Sequence, residues 1–226
     1  EDDSFNTDYD SSSSSLWGDL AGSTDSSFTT DSVSSLDSIV QLVCHELDMF
    51  TNLPVFIRAE DARAVSVFTT YDYVMARDNL YRAECDVPGF RDGFREYEAA
   101  IIELRSRFVP SPGVDYLLDL LSRISKDNGV TTSDNGVSQT VEARQGVSLK
   151  TMVAVKPRVA LRPYRTFLEV EQPESEFLLR LDDNGNVGLF EADGGMWRQT
   201  AKASILAYFD ARLSDEIKAG KVVVMM

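Results

Sequence analysis

From Leu161 to Gly195 the sequence LRPYRTFLEVEQPESEFLLRLDDNGNVGLFEADGG leaves the backbone few choices. Phe177–Leu181 and Val187–Phe190 are apolar runs separated by Asp182-Asp183-Asn184-Gly185-Asn186. An Asn-Gly pair readily takes the positive φ angles of a tight turn, so two antiparallel strands are expected. Asp193, followed by Gly194 and Gly195, can cap a helix starting near Met196, its carboxylate accepting from the first-turn amides. Trp197, Ala201, Ile205, Phe209 and Leu213 recur at helical spacing as its buried stripe, and 221–226 closes as a short strand.

The rest of the chain leads into or covers this stretch. Residues 1–34 form an acidic Ser/Asp-rich tail, with the run Ser11–Ser15 and too few apolar groups to offset the entropy of ordering. Leu16, Trp17, Leu20 and Phe28 are possible anchors, because apolar residues in such a segment can seat in a groove of the same protein or a partner. The tail is therefore either disordered or docked. The spacing predicts a helix from about Leu36, with Leu36, Ile39, Val40, Val43, Leu47 and Phe50 on its apolar face. A three-stranded meander follows at Val55–Ile57, Val65–Thr69 and Leu80–Asp86.

Phe94, Tyr97, Ile101, Leu104 and Phe108 mark a second helix, ended by Pro110 and Pro112, and Val114, Leu117, Leu118 and Leu121 a third that stops near Asp127. Beyond it the period changes. DNGV occurs at 127 and again at 134, each time beside a strand-like run, and Met152–Val155, Val159–Leu161 and Thr166–Val170 extend the β-rich part. The expected class is α+β, helices packed on antiparallel sheet. The expected division is 1–34 tail, 35–126 an α+β region, and 127–226 a β-rich region with the long helix.

Charge is unevenly distributed. The formal net charge is -15, yet residues 1–57 hold eleven acidic side chains and no Lys or Arg, leaving the remainder with 26 acidic against 22 basic groups. The folded body is therefore close to neutral and makes a poor imitation of DNA. No run approaches the ~18 apolar residues of a membrane span, and the start carries no basic-then-apolar leader. Cys44 and Cys85 are expected as reduced thiols in a cytosolic setting.

Residues 143–168 hold Arg144, Lys150, Lys156, Arg158, Arg162 and Arg165 with no acidic group between them. Such a run is either a solvated sheet face or a positive strip able to bind anions, the acidic tail among them. A nucleic-acid role is not favoured, since Tyr164 and Phe167 are the only rings nearby. Asp182–Asn186 lacks the ligand order of a calcium loop. Glu191 and Asp193, with Glu169 and Glu171, are candidates for paired carboxylates. His45 and Cys44 are neighbours on one helix and point about 100° apart, a poor dyad. No phosphate-binding glycine loop is present, and no cofactor, metal or catalytic site is expected.

The stretch RPYRTFLEVEQPESEFLLRL followed by GLFEADGG and an amphipathic helix resembles a family of uncharacterised bacteriophage and prophage proteins of Gram-positive bacteria. The resemblance extends to FTTYD at 68–72, to 108–125 and to 134–149. It implies a phage-encoded protein and brings no catalytic residue with it. The expectation is a non-enzymatic protein acting in the infected cell by binding or self-assembly, as a homo-oligomer or with a phage or host protein. Two alternatives stand beside it: a counter-defence or regulatory factor whose acidic segment blocks a basic host surface, and a metal-dependent hydrolase or nuclease.

Overall fold

The computed structural model describes residues 30–124, 132–135, 138–145 and 149–226, and at 132, 143–145 and 149–151 the backbone alone. The fold is α+β. Its first sheet has the order β1-β4-β3-β2-β12, formed by β1 (Asp31–Val33), β2 (Val55–Ala59), β3 (Ala64–Phe68), β4 (Asn79–Glu84) and β12 (Val222–Met225). β2, β3 and β4 are the expected antiparallel meander, and β1 and β12 add to it in parallel on either side.

Against this sheet lie α1 (Leu36–Glu46) and α4 (Trp197–Arg212), with α5 (Ser214–Lys218) leading into β12. The apolar spacing seen in the sequence becomes one core, in which Leu36, Ile39 and Val43 meet Ile57, Val65, Val67, Ile205 and Phe209. Ser35 starts α1, its Oγ accepting from the Ser38 amide at 3.1 Å. Glu169 completes that helix end from far along the chain, Oε1 accepting from the Leu36 amide at 2.7 Å. A carboxylate there also meets the positive end of the helix dipole.

The second sheet is antiparallel, with the order β5-β11-β10-β9, from β5 (Gly93–Arg95), β9 (Arg158–Leu161), β10 (Ser175–Leu181) and β11 (Val187–Glu191). It is covered by α2 (Tyr97–Ser106) and α3 (Pro112–Arg123), whose Leu104, Leu117 and Leu121 pack with Phe177, Leu179 and Leu189. A third ribbon, β6 (Thr132–Asp134), β7 (Gln139–Gln145) and β8 (Leu149–Val155), contributes Val141 and Val155 to the same core. Gln139 ties the ribbon to β10, donating to the Leu181 carbonyl and accepting from its amide at 2.9 Å.

Several sequence expectations need correction. The sheets do not follow a division near residue 127, because β5, α2 and α3 belong with β9–β11, while α4 and β12 return to the first sheet. Phe94 lies in β5 and Phe108 beyond α2, so the apolar spacing there spans a strand, a helix and a bridge to Pro163. Thr166–Val170 is no strand but part of a buried loop, its β-branched and aromatic residues being inside for a reason developed below. The first DNGV, at 127, and the acidic tail up to residue 29 lie outside the described residues.

Gly113 shows how closely the layers approach. A Cβ there would sit 2.1 Å from the Ala160 carbonyl oxygen, so α3 rests directly on the backbone of β9. Elsewhere in a helix Gly→Ala gains about 1 kcal/mol of propensity; here overpacking should reverse the sign. Gly113→Ala is expected to lower unfolding free energy by about 1–3 kcal/mol. Urea denaturation of the variant gives the value, and a midpoint at or above the wild type would mean that α3 can lift off β9.

Candidate functional site

The described cations between 143 and 168 are individually partnered: Lys156 by a ring, Arg158, Arg162 and Arg165 by carboxylates. Arg165 is 1% exposed and sits in the loop between β9 and β10. Its Nη1 donates to Glu191 Oε1 at 2.5 Å, and its Nη2 to the Pro173 carbonyl at 3.2 Å and to Ser175 Oγ. The guanidinium lies 4.2 Å over the Trp197 ring at the start of α4. Arg158 pairs with Glu176 and Arg162 with Glu171, while Lys156 stands 4.6 Å over the Tyr116 ring. Arg144 and Lys150 face each other across β7 and β8, with side chains outside the described residues. Leu16, Trp17, Leu20 and Phe28 also lie outside them.

The carboxylates considered for chemistry are occupied by structure. Ser175 donates to Asp193 Oδ2 at 2.5 Å, and the same carboxylate accepts from the Gly195 amide at 2.9 Å and the Trp197 amide at 3.3 Å, the helix-starting role its position suggested. Partial burial pulls the Asp193 carboxyl upward, but Ser175, the two amides and Arg165 outweigh that and hold it below the usual carboxylate range. Burial lowers Arg165, opposed by the charges of Glu191 and Asp193. Asp182 folds its own turn, Oδ1 accepting from the Asn184 and Asn186 amides at 2.9 and 2.8 Å.

Cys44 donates to Glu216 at 3.9 Å, and burial followed by that carboxylate pushes its thiol up, away from an activated nucleophile. Among the described residues no group of three or more His, Cys, Asp and Glu side chains could hold a metal.

Three surface features stand out among the described residues. A groove of about 530 Å³ lies between the loop after β4 and α2, lined by Pro88, Arg91, Arg95, Ile102, Ser106 and Arg107 among others. Its walls are fixed. Arg63 donates to the carbonyls of Cys85, at 2.9 Å, and of Val87, while Arg95 donates to the Arg91 carbonyl at 2.6 Å and pairs with Glu103 at 2.9 Å. Arg91 and Arg107 are exposed and make no ion pair among the described residues. These arginines are 16 positions apart with acidic groups between them, so no local charge run announced them.

The second feature is the β3–β4 connection, which projects Tyr73, 97% exposed, together with Val74 and Met75. Asp72 Oδ1 accepts from the Val74 and Ala76 amides at 2.8 Å each and holds the tip in shape. Arg77 lies over Tyr71, Phe68 and Phe56 at its base.

The third is the outer edge of β12. Val222 and Val224 face the core, leaving Val223 and Met225 on the other face at 37% and 39% exposure. Searches against protein-family models, curated proteins and solved structures found no match to this chain.

The Arg165 cluster yields a test of its own. Arg165→Leu strands Glu191 and removes the fork that joins β10, β11 and α4, at an expected cost of about 3–5 kcal/mol in urea denaturation. Because the folded carboxyl of Asp193 is depressed, its contribution is complete above the unfolded value of about 3.9 and is lost as pH falls through the folded one. Thermal unfolding of Asp193→Asn should accordingly show a flatter loss of stability below about pH 4 than the wild type; parallel curves would assign the acid sensitivity elsewhere.

Proposed function

We propose that this protein works by binding, and that the binding begins with its own second copy through the edge of β12. The observation that carries this reading is the contrast between its sheet edges. β1 and β5 are three residues long and carry Asp31 and Arg95, and β9 is flanked by Pro157 and Pro163. Short strands, charges and prolines are how proteins discourage edge-to-edge pairing. β12, four residues long, carries neither charge nor proline in its sequence VVVM and has no strand paired to its outer side among the described residues.

Two such edges related by a two-fold axis pair antiparallel and satisfy each other's open backbone groups. Val223 and Met225 would then pack across the axis on one face. The β3–β4 tip offers a further apolar contact for the assembled particle. A phage-encoded assembly or binding protein in the infected cell, as the motif at 162–195 implies, fits this reading.

Light scattering on the full chain, from about 1 to 100 μM, is the measurement, the range being set by the affinity of an interface of modest size. A dimer is expected that becomes monomeric in Val223→Lys/Met225→Lys, with thermal stability close to wild type because both side chains point away from the core. A chain that stays monomeric throughout, or a dimer that survives the double substitution, would end the proposal.

A further inference from the structure

We propose that the groove between the post-β4 loop and α2 is the seat of the chain's own acidic N-terminal segment, centred on Leu16–Leu20. The charges are complementary. Residues 1–29 carry seven acidic side chains and no basic one, whereas the groove presents Arg91 and Arg107 without ion-pair partners among the described residues. Arg95 is spoken for by Glu103, so the two outer guanidiniums are the ones an incoming carboxylate would meet.

Apolar chemistry matches as well. Ile102 is 66% exposed and lies with Ala99 and Pro88 on the same lining, a surface that a bare phosphate would leave uncovered. Leu16-Trp17-Gly18-Asp19-Leu20 brings three apolar side chains and one carboxylate within five residues. The groove walls are held by Arg63 and Arg95 before any ligand arrives, so little ordering cost falls on the protein side.

The geometry permits docking within one molecule. Asp31 of β1 lies opposite Tyr81 of β4, and Pro88 follows Tyr81 by seven residues, at most about 25 Å of chain. Leu20 precedes Asp31 by eleven residues, which can extend about 36 Å. A tethered segment acts at high effective concentration, so contacts too weak to hold a separate peptide can hold this one. The seat is independent of the β12 edge and stands or falls separately from self-association.

Trp17 reports on it in the full chain. The other tryptophan, Trp197, is 7% exposed, and subtracting the emission of a Trp17→Phe variant isolates Trp17. In the wild type at low salt, Trp17 is expected to be shielded from acrylamide, and the shielding should not depend on protein concentration. Quenching should rise several-fold in Arg91→Glu/Arg107→Glu, and likewise for the wild type above about 0.5 M salt, where exposed charges are screened. Circular dichroism checks that the double variant is folded, and Ile102→Ser, which changes no charge, should also loosen Trp17.

Equal quenching in the wild type and the folded double variant would overturn the proposal. So would shielding that grows with concentration, which means docking between molecules. An exposed Trp17 together with saturable binding of inorganic phosphate, lost in the arginine double variant, would assign the groove to an outside anion instead.

Discussion

An arginine with 1% of its surface exposed is the constraint around which the two cores are joined. An isolated buried charge costs several kcal/mol, so it must be surrounded by acceptors before the fold can close. Arg165 finds them on β10, on β11 and in its own loop, and covers the ring at the start of α4. Its backbone is held too, since the Arg165 and Thr166 amides both donate to Gln172 Oε1 while Gln172 Nε2 returns to the Phe167 carbonyl at 3.0 Å. Thr166 Oγ1 donates to the Ala62 carbonyl and Arg63 Nη1 to that of Arg165, so the loop is tied to the β2–β3 turn of the other sheet. Phe167, next along, is buried in the first core. One loop thus makes contacts in both halves.

The local elements were legible in the sequence, while the long-range assignments were not. The hairpin around Asn184-Gly185, the stripe of α4 and the face of α1 depend on spacing and turn chemistry that act over a few residues. β1 and β12 join the first sheet from either side, and no periodicity announces a parallel partner 50 residues away for β1 or 167 for β12. The loop at 162–174 misled for a related reason. Thr166, Phe167 and Val170 have strand-like chemistry, yet Phe167 and Val170 are buried in the first core by a loop whose backbone Gln172 holds, rather than by a ladder.

The same reasoning explains the basic run. Counting charges along 143–168 registers cations and omits partners that arrive from elsewhere, and here Glu171, Glu176 and Glu191 come in from the following segment and from β11. A charge run is informative about a surface only when the fold leaves it unpaired. By that criterion Arg91 and Arg107 qualify and Arg165 does not, although only the latter sits in a sequence that looked basic.

Binding surfaces follow from what the fold leaves unsatisfied. Inside, carboxylates are used repeatedly for local order: Glu169 starts α1, Asp193 starts α4, Asp182 closes a hairpin and Asp72 shapes a tip. Outside, three kinds of unmet demand stand out among the described residues: an open backbone edge at β12, apolar side chains at the β3–β4 tip and unpaired cations beside Ile102. Each demand is of a different chemical kind and calls for a different complement, a strand, an apolar surface and an acidic amphipathic segment in turn. On the readings proposed above, the chain itself would supply two of these complements, a second β12 edge and the Leu16–Leu20 segment. The proposed edge pairing acts between molecules and weakens on dilution, whereas the proposed docking within a molecule does not depend on concentration, so the two can operate in the same protein without competing.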